Sequence, residues 1–427
     1  MSDVLASIAA FFGAIERFIL RRIRAFERIF ILYPIETVVR FIHHLNPRVH
    51  FTSLRINEVV EGYRPKSDGT FFILVMYSNG PAPEFLMNLI DAIDRSPHNL
   101  VLVSNSPLSP SQKAALSEKC RVLIERKNVG RDFGGYKDGV QYVQSHFPDA
   151  QRIVLVNDSL FFFRKSLDKL IADLNGPHDF IGVTETQAIH YHVQSFMLSF
   201  GPNAIRHPKF RRFWKKYRPI GTRYWAIHRG EVRLTRQMTK AGFRPHILFP
   251  TAHLLAHLQR RPVRDAIETV RLLPISARKK MFKSFLSFMG EKSNSSSLST
   301  LEAVAYGVRR VHPGAGRGGE DKLIQISNQA TGMEQWSLGI FPDKIVSTIS
   351  QNNQMHYGAF LFMRHLGFPV LKRDIFYRQL YTLEEVHQIL TDLGEPLRDE
   401  VLSDLRRTGS GENLRRLRGL MYRHGMI

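Results

Sequence analysis

A chain of 427 residues, 43% hydrophobic and 23% charged, can bury a core of two or three structural units and is not a disordered polymer. Its single cysteine, Cys120, excludes an internal disulfide and a cysteine-based zinc site, and a reducing compartment is the simplest setting. The formal charge of +22 needs an anionic partner, whether polyphosphate, nucleotide, nucleic acid or anionic lipid.

Residues 4–15 read VLASIAAFFGAI, apolar but too short to span a bilayer. After them Phe18, Ile19, Ile23, Phe26 and Phe30 recur at helical spacing, with Arg21, Arg22, Arg24 and Arg28 between them. No small-residue cleavage site follows a clean apolar run, so a secretory signal is not expected. The pattern predicts a helix lying on an anionic leaflet; the alternative is an amphipathic helix packed on its own domain or on a partner. Further basic residues, in HPKFRRFWKKYR, QRRPVR, ARKKMFK and NLRRLRGLMYRH, are mixed with apolar ones, which suits a membrane face better than a nucleic-acid tail.

Residues 70–200 alternate strands and helices. TFFILVMYS reads as a buried strand ending in a turn signal, and PEFLMNLIDAI as the helix after it. NLVLVSNS, CRVLIE and RIVLVNDS are further strands, with SPSQKAALSEK as a helix between the first two. Between the last two lies RKNVGRDFGGYKDG, leading into a helix with Tyr136, Val140, Val143 and Phe147 on one face. Such alternation predicts an α/β fold with a mainly parallel sheet, whose ligands sit at the carboxyl ends of the strands. The polar clusters SNG, SNS, NVGRD and NDS all fall at those ends. Beyond residue 250 the pattern is helical and basic, with EKSNSSSLST and HPGAGRGGED as loops.

In the glycine-rich loop, Gly130, Gly134 and Gly135 permit close backbone approach. Asp132 suits capping of the next helix, whose free N–H groups attract an anion, and Arg131 can add a bidentate contact to a phosphate. The loop lacks the Lys-Ser/Thr of a P-loop, and by itself it is also an ordinary turn into a helix. Asn157-Asp158-Ser159 ends a strand where a lone carboxylate can hold Mg²⁺ or Mn²⁺ bridging a diphosphate, or simply make a turn.

Taken in order, these residues resemble the rhamnan synthesis protein F group of glycosyltransferases. The blocks are NVGRDFGGYKDG, LVNDSLFFF, HDFIGVTE, HYHVQSFMLSF with FRRFWKKY, GEVRLTRQMTKAGF and NQMHYGAFLFMRHLGFPVLKRDIFYR, within residues 126–249 and 353–378. The resemblance implies a GT-A-like Rossmann-type sheet binding a nucleotide-diphosphate sugar. It also implies transfer to a growing cell-surface polysaccharide or lipopolysaccharide, often with rhamnose as donor sugar. Asn128, Gly130, Arg131 and Asp132 would then line the nucleotide pocket. Asn157, Asp158 and Ser159 would stand at the Asp-x-Asp metal position of GT-A enzymes, with Asp158 as the metal ligand. A single acid there leaves dependence on a divalent metal open. The Gly-Pro turn that usually follows is Phe162-Phe163 here, a change expected at the lip of the pocket.

Transfer needs charge stabilisation on the departing diphosphate and a base for the acceptor hydroxyl. Glu185, after the IGVT strand, and Glu231 in RGEV are the candidate bases, and Glu185 has the better location. A structural acid paired with an arginine is the alternative for each. His192, Gln194 and Ser195 are candidate acceptor or sugar contacts, against a buried, hydrogen-bonded histidine. Lys372 and Arg373 could reach a phosphate or pair with Asp374. Trp214 and Trp225 are expected in the core.

The expected organisation is amphipathic membrane-surface helices over 1–60, a nucleotide-sugar-binding α/β domain over 68–260, a basic helical segment over 261–330, and a C-terminal helical region over 331–427. The expected protein is a glycosyltransferase peripheral on the inner, cytoplasmic face of a bacterial membrane, with a lipid-linked glycan as acceptor. A non-catalytic nucleotide- or sugar-binding accessory protein is the alternative. No nucleic-acid partner is expected, since no helix-turn-helix, zinc finger or RNP aromatic pair is present.

Overall fold

The computed structural model describes residues 33–259 except 67, 79, 188 and 189, residues 269–278 and 281, and residues 341–411. The N-terminal arginine-rich tract, the loops EKSNSSSLST and HPGAGRGGED, most of the basic segment 261–330 and the tail NLRRLRGLMYRH lie outside the described residues.

Helix α1 (Tyr33–Leu45) precedes strand β1 (Ile56–Glu61). The predicted alternation follows as β2 (Thr70–Met76), α2 (Glu84–Arg95), β3 (Asn99–Ser104), α3 (Pro110–Ser117), β4 (Val122–Arg126), α4 (Arg131–His146) and β5 (Arg152–Asn157). Next come β6 (Leu160–Phe162), α5 (Leu167–Leu174), β7 (Phe180–Gly182), β8 (Glu185–Thr186), β9 (His192–Val193) and β10 (Met197–Phe200). Then α6 (Pro208–Lys216), α7 (Val232–Thr239), β11 (His246–Ile247) and α8 (Thr251–Leu258) are laid down. The C-terminal part holds α9 (Phe341–Ser350), α10 (Ala359–Leu366), β12 (Val370–Lys372), α11 (Leu383–Asp392) and α12 (Arg398–Thr408).

One sheet runs β1-β4-β3-β2-β5-β10-β7-β11. Strands β4, β3, β2 and β5 are mutually parallel, with β1 antiparallel on one edge. β10 inserts antiparallel between β5 and β7, and β11 returns parallel to β7. This is the α/β, mainly parallel sheet that the sequence leads one to expect.

The chemistry of β2 shows why it forms. All seven of its residues are buried, because successive side chains serve opposite faces and both faces are covered. Phe71, Ile73 and Val75 share one core with Tyr136, Val140 and Val143 of α4. Phe72, Leu74 and Met76 share the other with Phe85, Leu89, Ile90 and Ile93 of α2. At α3, Ser109 and Gln112 form a capping box, which marks where the sheet excursion turns back.

Two features lie beyond hydrophobic periodicity. The half-exposed edge strand β1 carries too weak an alternation to announce itself. The second is a two-stranded ribbon in which β12 pairs antiparallel with β6, setting Val370 opposite Phe162 and Lys372 opposite Leu160. This ribbon carries the C-terminal part of the chain to the residues directly after Asn157-Asp158-Ser159. Phe162 and Phe163 are fully buried beside it, so they form core rather than the lip of a pocket.

Helix α4 lies unusually close to the sheet because glycine lines its inner face. A Cβ on Gly135 would sit 2.6 Å from Val75 Cγ1, and one on Gly139 would sit 2.5 Å from Ile73 Cγ2. Gly135→Ala is therefore expected to destabilise the protein by about 1–3 kcal/mol in urea unfolding, as overpacked cores do. Gly80→Ala, whose added Cβ meets nothing within 4 Å, should leave stability within about 0.5 kcal/mol.

Candidate active site

The site is assembled at the carboxyl ends of β2, β4 and β5, starting from a buried ion cluster. Arg126 and Arg55 are both fully buried and both bind Asp138 of α4, with Arg126 Nε 2.8 Å and Arg55 Nε 3.0 Å from Oδ2. Arg126 also donates to the Val129 carbonyl at 2.7 Å and to the Asn105 side chain at the end of β3. The glycine-rich loop is thereby tied to the helix that follows it.

Gly130 then takes φ +82°, in the left-handed region, with Pro219 so close that an added Cβ would lie 2.3 Å from it. Arg131 also has positive φ, 53°, and its Nε donates to the Gly221 carbonyl at 2.8 Å. A non-glycine residue held there is strained, and such strain gathers at functional sites. Two expectations change here. Gly130 is the helix cap and Asp132 lies within the first turn, its carboxylate accepting a 2.8 Å hydrogen bond from Asn157 Nδ2. Gly134 and Gly135 serve packing, since a Cβ on Gly134 would be 2.0 Å from the Val129 carbonyl oxygen.

The Asn157-Asp158-Ser159 turn forms the second wall. Asn157 Oδ1 accepts from Ser159 Oγ at 2.6 Å, and Asp158 Oδ2 accepts from the Tyr77 N–H at 2.7 Å. Burial, helped by the nearby Asp132 charge, pushes the Asp158 carboxyl up to about 7, against the Tyr77 N–H and Arg373, which favour ionisation. Burial likewise raises Asp132, against the charges of Lys372 and Arg131.

The β12 ribbon supplies the third wall. Lys372 Nζ donates to Ser159 Oγ at 3.2 Å. Arg373 grips Asp404 of α12 at 3.0 and 2.9 Å and donates to the Asp158 carbonyl at 3.1 Å. Asp374 holds His356 at 2.7 Å and Arg378 at 2.5 Å. Arg373 braces α12 through Asp404 and Lys372 reaches Ser159, and both line the cavity.

The fourth wall is a π-turn, Ala226–Glu231, running directly into α7. It presents Glu231, which accepts from Ser195 Oγ and lies 3.3 Å from His192 Nε2. His192 Nδ1 meets the His190 carbonyl at 2.7 Å and so carries a proton. Burial opposes the charge on both partners, but their mutual attraction outweighs it: Glu231 is held below the usual carboxylate range and His192 above the usual imidazole. Ser195 is fixed from behind by Tyr136, whose hydroxyl donates to its carbonyl at 3.0 Å. Gln194 accepts from Thr184 Oγ1 at 2.7 Å.

These walls enclose a cavity of about 1240 Å³. Arg131, Asp132, Asn157, Asp158, Ser159, His192, Gln194, Ser195, Glu231, Lys372 and Arg373 all line it. Asn128 is exposed on the loop, and neither it, Gly130 nor Glu185 is among the lining residues. Glu185 instead sits in the β8–β9 hairpin, where its N–H donates to Gln354 at 2.9 Å and its carboxylate hydrogen-bonds Tyr191. Trp214 is core, as expected, whereas Trp225 is half-buried and donates to the Arg218 carbonyl at 2.8 Å. Tyr77 was signalled only as part of a strand end, and Asp404 carried no signal. Glu36 and Tyr33 of α1, which also line the cavity, carried no signal at all.

Among the described residues no group of three or more His, Cys, Asp or Glu side chains is placed to hold a metal ion. Asp132 and Asp158, however, repel each other in a buried place, and such a pair fits a divalent cation that draws its remaining ligands from a diphosphate. Because the folded Asp158 carboxyl binds its proton more tightly than the unfolded one, its ionisation costs stability as pH rises from about 4 to about 7, and the cost levels off above that. In chelator, Asp158→Asn should raise stability at pH 8 by on the order of 1–3 kcal/mol, a gain that vanishes below about pH 4. Urea unfolding at the two pH values measures it.

Residues 100–306 match the family model described as Rhamnan synthesis protein F. The uncharacterized protein y4gN of Sinorhizobium fredii is 27% identical over 214 residues, 49% of this chain and 56% of that protein. The virulence protein VirA of Vibrio anguillarum is 31% identical over 143 residues, 33% of this chain and 46% of that protein. The chain thus spans about half the length of the curated relatives it matches. A Desulfovibrio desulfuricans structure described as a nucleotide-diphospho-sugar transferase aligns with a TM-score of 0.29 and 14% identity, over 43% of this chain and 80% of that one. A glycosyltransferase involved in glycosylation of the PBCV-1 major capsid aligns at 0.23 and 11%, over 34% and 65%. The family whose model the chain matches over residues 100–306 is the one that its motif blocks resemble, rhamnan synthesis protein F.

Proposed function

We propose that this chain is a glycosyltransferase, moving a sugar, with rhamnose the first candidate, from a nucleotide-diphosphate donor to a cell-surface glycan. The observation that carries the reading is the convergence of Lys372, Asp158 and Asp132 with the Glu231–His192–Ser195 group in one cavity at the strand ends. The first group suits a departing diphosphate and the second an attacking hydroxyl. The acceptor oxygen bonds to the anomeric carbon as the bond from that carbon to the diphosphate breaks, its electron pair leaving with the diphosphate. Glu231, kept ionised by His192 and Ser195, takes the proton of the acceptor hydroxyl. Lys372 places a cation beside Ser159, where the leaving oxygens gather negative charge. A divalent metal at Asp158 and Asp132, when bound, would supply further charge neutralisation there.

The membrane part of the reading rests on α1. Its outer face exposes Val38, Phe41, Ile42 and Leu45, while Arg48 and Arg218 flank it, Arg218 through a 3.2 Å contact with His44. No helix among the described residues is long and apolar enough to cross a membrane. Apolar residues rimmed by cations suit an anionic leaflet, on whose cytoplasmic face a lipid-linked acceptor would be met.

Nucleoside-diphosphate release from a panel of nucleotide sugars, dTDP-rhamnose included, tests the transferase reading. Wild type should turn over at least one donor; Glu231→Gln should lower kcat by about 10²-fold or more with donor binding kept. Lys372→Met should weaken donor binding by about tenfold, and Lys372→Arg should restore much of it. Donor binding without release by wild type would favour the accessory reading instead. For the membrane part, Phe41→Asp with Ile42→Asp should abolish co-sedimentation with phosphatidylglycerol vesicles, and equal binding by the double variant would defeat it.

A further inference from the structure

We infer that Glu36 is an acceptor-side binding residue whose carboxylate takes hydrogen bonds from the hydroxyls of a sugar. The inference rests on the transferase reading for the identity of the second ligand, but its evidence lies elsewhere in the cavity. Glu36 is the one buried side chain of α1, only 6% exposed, and it lines the cavity. Its carboxylate has neither a hydrogen bond nor an ion pair among the described residues, although Arg40 stands one helical turn away. Its oxygens are not among the fully enclosed unsatisfied atoms of the described residues, so they open onto the cavity, where the hydroxyls of a ligand can reach them.

The place and the chemistry together select the ligand. At about 1240 Å³ the cavity exceeds the roughly 300–1,000 Å³ of a site for one small molecule, so it has room for a donor and an acceptor together. Lys372, Asp158 and Ser159 mark the diphosphate end. Glu36 comes from a different element, and the segment 221–231 on which α1 rests carries Tyr224, His228 and Glu231 into the same cavity. His43 of α1 approaches Gly221, whose added Cβ would lie 3.0 Å from its ring. Arg223 and His228 line the cavity too, in a protein of charge +22, which disfavours a cationic ligand. A neutral ligand rich in O–H donors is what an unpaired carboxylate can accept here. The opposite face of the same helix is the apolar one, so a sugar held by Glu36 would arrive from the side where α1 meets the bilayer.

The test uses the full chain with Glu36→Gln and Glu36→Ala. The probes are octyl glycosides of rhamnose, glucose and N-acetylglucosamine, titrated calorimetrically in the presence of nucleoside diphosphate. Wild type should bind at least one glycoside saturably, and Glu36→Ala should weaken it tenfold or more, with Glu36→Gln intermediate. Nucleoside-diphosphate affinity should be unchanged in both variants. The unliganded melting temperature should be little changed in Glu36→Gln, because the carboxylate has no partner in the fold to lose, whereas a purely structural glutamate would lower it. Absence of saturable glycoside binding by wild type, equal glycoside binding by all three proteins, or a loss confined to the nucleotide would each overturn the assignment. Glycoside binding that depends on Glu36 without any sugar transfer would instead leave the site standing and remove the transferase reading.

Discussion

A single carboxylate shared by two buried arginines fixes the floor of the site. Asp138 lies one face inward on α4, and Arg55 and Arg126 reach it from β1's approach and from the end of β4. Breaking such a cluster leaves uncompensated buried charge, typically worth about 3–5 kcal/mol, so the three residues hold or fail together. Through Arg126 the cluster also holds the Val129 carbonyl and Asn105, which set the backbone entering α4. Only with that backbone fixed can Gly130 and Arg131 adopt positive φ and point Asp132 at Asn157. The charged floor lies beneath the cavity, and none of its three residues lines it.

Above that floor the cavity separates two electrostatic tasks. Asp132 and Asp158 are driven toward their neutral forms by burial and mutual repulsion, whereas Glu231 is held ionised by His192 and Ser195. Carboxylates of opposite tendency in one cavity suit a reaction that must tolerate an incoming polyanion at one end and accept a proton at the other. Lys372 sits between them, attracted by both Asp132 and Glu231. Arg373 cannot substitute for it, because its guanidinium is already committed to Asp404 and to the Asp158 carbonyl.

Much of this architecture was legible in the sequence, and the reasons are specific. Strands such as TFFILVM and RIVLVN are unbroken apolar runs because both sheet faces are covered, and their polar endings place the site. What stayed hidden depends on contacts remote in sequence or on irregular backbone. The three-residue β12 is too short to show a period, yet it alone brings Lys372 to Ser159, 213 residues away. Glu185 looked better placed than Glu231 because it follows a strand. A hairpin carries Glu185 away, while a π-turn, with Gly230 tucked against Phe133, carries Glu231 in. Glu36 was invisible because an acid on a basic amphipathic helix reads as part of its wet face. The spacing did not announce that Gly135 and Gly139 serve helix-to-sheet packing, against Val75 and Ile73.

The β6–β12 ribbon has a consequence for the protein while it is being made. Synthesis delivers Asp132, Asp158 and Glu231 well before Lys372. Until β12 pairs with β6, the strand-end acids lack the Lys372 ammonium that the fold sets beside Ser159. The third wall of the cavity is therefore completed only once β12 has paired with β6.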